Sequence, residues 1–138
     1  MTPHLLPITI DQMKEVDRLM VEEFGISILM MMENAARNIA WLTRKLCGGS
    51  LKGKKIIILS HKGNNGADGL AAARHLTNFG AKVSCYLTCE KNEMTAEGII
   101  QYKILNTVGV PINHINQIIP ASFTQELEQV DTIIEALD

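Results

Sequence analysis

A chain of 138 residues fits one domain, and at that size folding buries roughly two-thirds of the unfolded surface, enough for a core. Hydrophobic residues at 46% and charged residues at 20% describe an ordinary globular composition. A net charge of -2 with scattered lysines and arginines gives no electrostatic case for nucleic acid or an anionic membrane.

The N-terminus, Met1 to Pro7, lacks a charged region followed by an apolar core and does not read as a secretory signal. Thr9 stands before Gln12 in a capping-box arrangement and opens a helix. Ile10, Met13, Val16 and Met20 recur at helical spacing until Gly25 stops the pattern. A second helix is predicted from about Ile28 to Cys47, with Leu29, Met32, Ala36, Ile39, Ala40 and Leu46 on its apolar face. The apolar stretch Ile26 to Met32 is too short to cross a bilayer. Cys47, Cys85 and Cys89 are odd in number and lack metal spacing, which predicts free thiols in a reducing cytosol.

From Lys54 the pattern changes to short apolar runs alternating with amphipathic helices. Strands are predicted at Lys55–Ser60, Lys82–Leu87, Ile112–Ile115 and Thr132–Leu137, and helices at Ala67–Phe79, Thr95–Thr107 and Ala121–Gln129. This order predicts an α/β fold with a parallel sheet, right-handed crossovers and strand order 3-2-1-4. The whole reads as one domain, with a helix pair over 9–47 and βα repeats over 54–138.

The turn Gly63-Asn64-Asn65-Gly66-Ala67-Asp68-Gly69 carries the most information. A phosphate-binding Walker loop needs Lys-Ser/Thr after its last glycine, and Leu70 stands there instead. A calcium loop counted from Asn64 puts Gly66 and His75 where oxygen ligands belong. The glycines at 63, 66 and 69 also miss the dinucleotide spacing, although Glu90 stands where a ribose-binding acid would. Backbone N–H groups at the predicted helix start suit an anion or a carbonyl oxygen. Asp68 reads as a first-turn acid that favours the helix dipole and disfavours an adjacent phosphate. Asn64 and Asn65 offer amide donors and neutral oxygens, which suit a hard cation or ribose and carboxamide groups. His61 lies at the mouth of the turn. The last strand carries Glu135 near its carboxyl end, where ligands of open parallel sheets sit. The chain stops as it reaches that site.

These residues resemble the YjeF N-terminal domain family of NAD(P)H-hydrate epimerases. Gly25-Ile26 with Met32-Glu33-Asn34-Ala35-Ala36 is similar to the family's "GIP…LMENAG" segment. Gly63 to Leu70 is similar to "GNNGGDGL", and Asp131 to Leu137 to "DLIVDALFG". The resemblance implies a Rossmann-like three-layer α/β/α sandwich, incomplete here on its C-terminal side, and a homodimer. It implies interconversion of the R and S forms of hydrated NADH and NADPH in the cytoplasm, beside an NAD(P)H-hydrate dehydratase. By resemblance, Asn64, Asn65, Gly66, Ala67 and Asp68 bind the nicotinamide nucleotide, and Asn34 lines the pocket. Asn65 and Glu135 hold a potassium ion, and Glu135 is catalytic.

Three departures accompany the resemblance. His61-Lys62-Gly63 replaces Gly-x-Gly, Ala67 replaces a glycine, and Glu135 replaces an aspartate. An added methylene at Glu135 shifts the carboxylate by about an ångström, a displacement that costs rate. Two other readings stay open: a catalytically inactive dimerising scaffold of the same fold, and an ordinary NAD-binding half-domain.

Overall fold

The computed structural model describes residues 5–116 and 118–137. The reading of Met1 to His4 as no signal, and Asp138, lie outside the described residues. The chain divides into two compact units, 1–31 and 32–138.

In the first unit, α1 spans Ile10–Glu22. Its capping box forms as the spacing predicts: Gln12 N–H donates to Thr9 Oγ1 at 3.1 Å, and Thr9 N–H to Gln12 Oε1 at 2.8 Å. Arg18 binds Glu15 at 2.7 Å and also pairs with Glu22. No residue of α1 is buried. Gly25 follows with φ 68°, which favours glycine.

Helix α2 spans Ile28–Leu46, and the unit boundary runs through it. Its buried residues in the second unit are Met32, Ala36, Ala40 and Thr43. This stripe is narrower than the face predicted for α2, because Leu46 is exposed and Ile39 only half-buried.

The second unit contains four parallel strands: β1 Lys55–Ser60, β2 Lys82–Leu87, β3 Ile112–His114 and β4 Thr132–Ala136. Their order is β3-β2-β1-β4, as the βα alternation predicts. Helices α3 (Asn64–Asn78), α4 (Ala96–Val108) and α5 (Ala121–Leu127) connect them, with a short 3-10 turn at Lys91–Glu93. In β1, Ile56, Ile57 and Ile58 are all buried, as expected of a strand covered on both faces. Ile58 faces α3, where it lies against Gly69. The opposite face carries Tyr86, whose ring meets Phe123 of α5 edge-on at 4.7 Å. Asp131 clamps the base of the sheet: its N–H donates to the Lys55 carbonyl, and its carboxylate accepts from Lys55 N–H, both at 2.8 Å.

One boundary corrects the sequence reading. Helix α3 begins at Asn64, not Ala67, because extended Gly63 caps it and Ala67 N–H donates to the Gly63 carbonyl at 3.1 Å. Asn64, Asn65 and Gly66 are therefore the first helical turn rather than a loop. Asp68 falls in the second turn, and the first turn holds no acid. No helix among the described residues is long and apolar enough to cross a membrane.

Candidate functional site

The site forms where β1 turns into α3, beyond the carboxyl ends of β1 and β4. These two strands flank the point where connections switch from one face of the sheet to the other, and ligands of open α/β sheets bind there. Two glycines bring the helix down onto the strands. A Cβ on Gly66 would lie 1.8 Å from the His61 carbonyl oxygen, so only glycine fits. A Cβ on Gly69 would lie 2.8 Å from the Ala136 Cβ and 3.3 Å from Ile58 Cγ2. Ser60, 0% exposed, donates its hydroxyl to the Gly66 carbonyl at 2.8 Å and pins the turn to the strand end.

The predicted residues divide by exposure. Asn64 and Asn65 are exposed at the tip of α3. Gly63 supplies no side-chain cap, so the first-turn N–H groups remain open to an oxygen ligand. Gly66 and Ala67 are buried, and the Ala67 N–H is already bonded. Both shape the backbone, and Ala67 presents no free donor. Asp68 is half-buried. Glu135 is exposed on β4 opposite Leu59, and its Oε1 accepts the Leu137 N–H at 3.3 Å.

Asn34 is not brought to this cluster. It is exposed on α2 and accepts from Arg37 Nη2 at 3.1 Å. Its neighbour Glu33 pairs with Arg74 and lies 2.7 Å from His75 Nε2. Those residues stand well down α3, about 15 Å from Asn64 at 1.5 Å per residue. Glu90 is engaged elsewhere: it forms a capping box with Glu93.

Two residues escaped the sequence reading. Buried Ser60 anchors the turn, and Thr88 bonds His61 Nδ1 at 2.8 Å. A hydroxyl at each of two adjacent strand ends was the available signal. The thiols are free, as expected. Burial pushes Cys85 up to about 12, and burial also raises Cys89. Among the described residues no group of three or more His, Cys, Asp and Glu is arranged to hold a metal.

Comparison with known proteins agrees with this fold. The model of the YjeF-related protein N-terminus matches residues 28–138. The chain is 36% identical over 133 residues to an NAD(P)H-hydrate epimerase of Dehalogenimonas lykanthroporepellens, covering 96% of this chain and 51% of the relative. It is 29% identical over 130 residues to a bifunctional NAD(P)H-hydrate repair enzyme of Thermofilum pendens, covering 93% of this chain and 24% of that one. The crystal structure of the yeast protein YNL200c superposes with a TM-score of 0.83 at 25% identity, covering 97% of this chain and 57% of the yeast chain. The chain thus spans about half the length of the epimerase it matches. On this family match and this identity, the chain belongs to the YjeF-related protein N-terminus family.

Proposed function

We propose that the protein interconverts the R and S forms of hydrated NADH and NADPH. The observation that carries the reading is that an uncapped helix tip bearing two exposed asparagines follows β1, and an exposed glutamate lies near the carboxyl end of the neighbouring β4, at the same end of the sheet as the strand-order switch point. The names of the relatives, NAD(P)H-hydrate epimerase and NAD(P)H-hydrate repair enzyme, support the same substrate. No observation favours the inactive-scaffold reading.

Asn64 and Asn65 bind nucleotide oxygens through the first-turn N–H groups and their amides. Gly66 and Ala67 contribute by letting the helix close on the strand, and Asp68 borders the same pocket. Glu135 exchanges a proton with the hydroxyl of the substrate ring. The amide oxygen of Asn65 and the carboxylate of Glu135 are oxygen donors only, which fits a hard monovalent cation such as potassium. When bound, that ion stabilises negative charge at the substrate. The described residues form one family domain acting as a homodimer in the cytoplasm, and a dehydratase consumes the product, as the bifunctional relative's name suggests.

The test follows conversion of R to S hydrated NADH by separating the two forms over time. The natural protein should accelerate it, and Glu135→Gln should lower kcat about 100-fold or more. A natural protein that leaves the solution rate unchanged defeats the proposal.

A further inference from the structure

A cleft of about 440 Å³ opens beyond the carboxyl ends of β2 and β3, lined by Thr88, Cys89, Glu90, Glu93, Ile115 and Asn116. Its volume falls in the range of about 300–1,000 Å³ that small-molecule sites occupy. Cys89 is buried and Ile115 half-buried, which makes part of the wall apolar, and Asn116 adds an exposed amide. The two strand ends are tied together, because Ile115 N–H donates to the Leu87 carbonyl at 2.7 Å. The cleft adjoins the β1–α3 turn. Thr88 on its wall contacts His61 at 2.8 Å, and Thr95 N–H, just past its rim, donates to the Lys62 carbonyl at 3.2 Å.

Strand order decides which part of a dinucleotide reaches it. Strand β1 has β4 on one side, and β2 then β3 on the other. A diphosphate at the first-turn N–H groups of α3 sits over β1. The hydrated ring lies on the β4 side with Glu135, so the adenosine half extends over β2 and β3. Strand spacing puts β2 about 10 Å from β4 and β3 about 14 Å, a distance that two riboses and a diphosphate bridge. At the β2 end, Glu90 and Glu93 are fixed before any ligand arrives. Each side chain accepts the other's backbone N–H, that to Glu93 Oε2 at 2.8 Å. Each cap bond occupies one carboxylate oxygen and leaves the second as an acceptor. Both charges bear on the cleft: burial raises the Cys89 thiol, the Glu93 and Glu90 carboxylates raise it further, and Lys62 opposes them. Lys62 is exposed on the β1–α3 turn, on the diphosphate side, and Lys91 Nζ stands 4.8 Å from the centre of the Tyr102 ring. A ribose 2′-hydroxyl can donate to a carboxylate held in this way. A 2′-phosphate, carrying about −1.5 to −2 charge, is repelled by it.

Resting on the epimerase reading, we infer that this cleft holds the adenosine half of the substrate, and that Glu90 accepts from its ribose 2′-hydroxyl and sets a preference for hydrated NADH over hydrated NADPH. Glu93 adds charge of the same sign beside it. Cys89 and Ile115 pack against the base. The preference comes from refusing the extra phosphate as much as from binding the hydroxyl.

The test compares kcat/KM of the natural protein for hydrated NADH and hydrated NADPH. Calorimetry then titrates the same protein with adenosine 5′-monophosphate and adenosine 2′,5′-bisphosphate, which carry no nicotinamide ring. Hydrated NADH and the monophosphate should each be favoured about tenfold or more, and the preference should shrink in high salt. Glu90→Gln keeps an oxygen for the Glu93 N–H and should melt as the natural protein does. It should bring both ratios within about threefold of unity. Asn116→Trp, which fills the cleft from an exposed position, should weaken monophosphate binding about tenfold. Equal use of the two substrates by the natural protein overturns the preference, as does a Glu90→Gln variant that keeps the natural ratios. Monophosphate binding indifferent to Asn116→Trp overturns the location. A natural protein without epimerase activity defeats the epimerase reading, and the two adenylates then still decide the cleft. If Glu90→Gln does not fold, equal binding of the two adenylates by the natural protein overturns the role of its carboxylate.

Discussion

Glycines at 63 and 66 sit three residues apart and make opposite demands. Gly63 has no neighbour within 4 Å of a built Cβ and an ordinary φ of -75°, so a methyl there meets nothing. Gly66 would drive its Cβ into a backbone carbonyl. Gly66→Ala is expected to cost about 3 kcal/mol or more, near the upper end of overpacking, because backbone cannot step aside as a side chain can. Gly63→Ala should stay within about 0.5 kcal/mol. Urea denaturation of the pair checks this, and equal costs would defeat the wedge. Asn65 differs from both, being exposed, with no side-chain hydrogen bond to another described residue. Asn65→Ala should weaken nucleotide binding, measured by calorimetry, while moving stability by less than about 0.5 kcal/mol. Loss of both would make it a structural residue instead.

At the scale of elements, the tie between α2 and α3 is ionic. Glu33 accepts from the Arg74 guanidinium and lies near His75, and the arginine bond chiefly holds the carboxyl below its usual range. A depressed carboxylate contributes stability above its unfolded value, about 4.3. That contribution fades as pH falls through the lower folded value. Glu33 is half exposed, so solvent screening keeps the contribution small, at most about 1 kcal/mol. Glu33→Gln should therefore lower the urea midpoint slightly at pH 7 and converge with the natural protein as pH falls below the range in which the folded carboxyl is ionised. A gap that persists in acid would show that the charge is not what matters. The elements also show what was legible in the sequence. Strands β1 and β2 match their predicted bounds, because short apolar runs, broken only by Ser84 in β2, are bounded by lysine and hydroxyl residues and leave little choice. The start of α3 did not, because Asn64, Asn65 and Gly66 read as turn residues. Tertiary contacts override that preference: Ser60 bonds the Gly66 carbonyl and the glycine packs on His61. The place of Asn64, Asn65 and Glu135 at the carboxyl ends of β1 and β4 was legible from the order of apolar runs. The His61–Thr88 contact was not, since it depends on the register of β2 against β1.

At the scale of the molecule, the unresolved demand is apolar surface. Helix α1 buries nothing, and Ile10 is 77% exposed with Met13 and Val16 beyond 40% on the same stripe. Among the described residues β4 pairs only with β1, and Ile133 on it is 45% exposed. Clustered exposed apolar residues on an amphipathic helix mark an association surface rather than scatter. The capping box and the Arg18 pairs help hold α1, whose apolar residues Leu19 and Met20 are only half-buried. Self-association would then cover its apolar stripe. Sedimentation velocity at micromolar concentration should show a dimer. The double variant Ile10→Glu, Met13→Glu should shift it towards monomer without lowering the melting temperature, because neither side chain is buried in the chain itself. Charge on that stripe adds desolvation cost to the interface and leaves the monomer's core untouched. A natural protein that sediments as a clean monomer would remove the dimer from the account. A double variant that stays dimeric would move the interface away from α1.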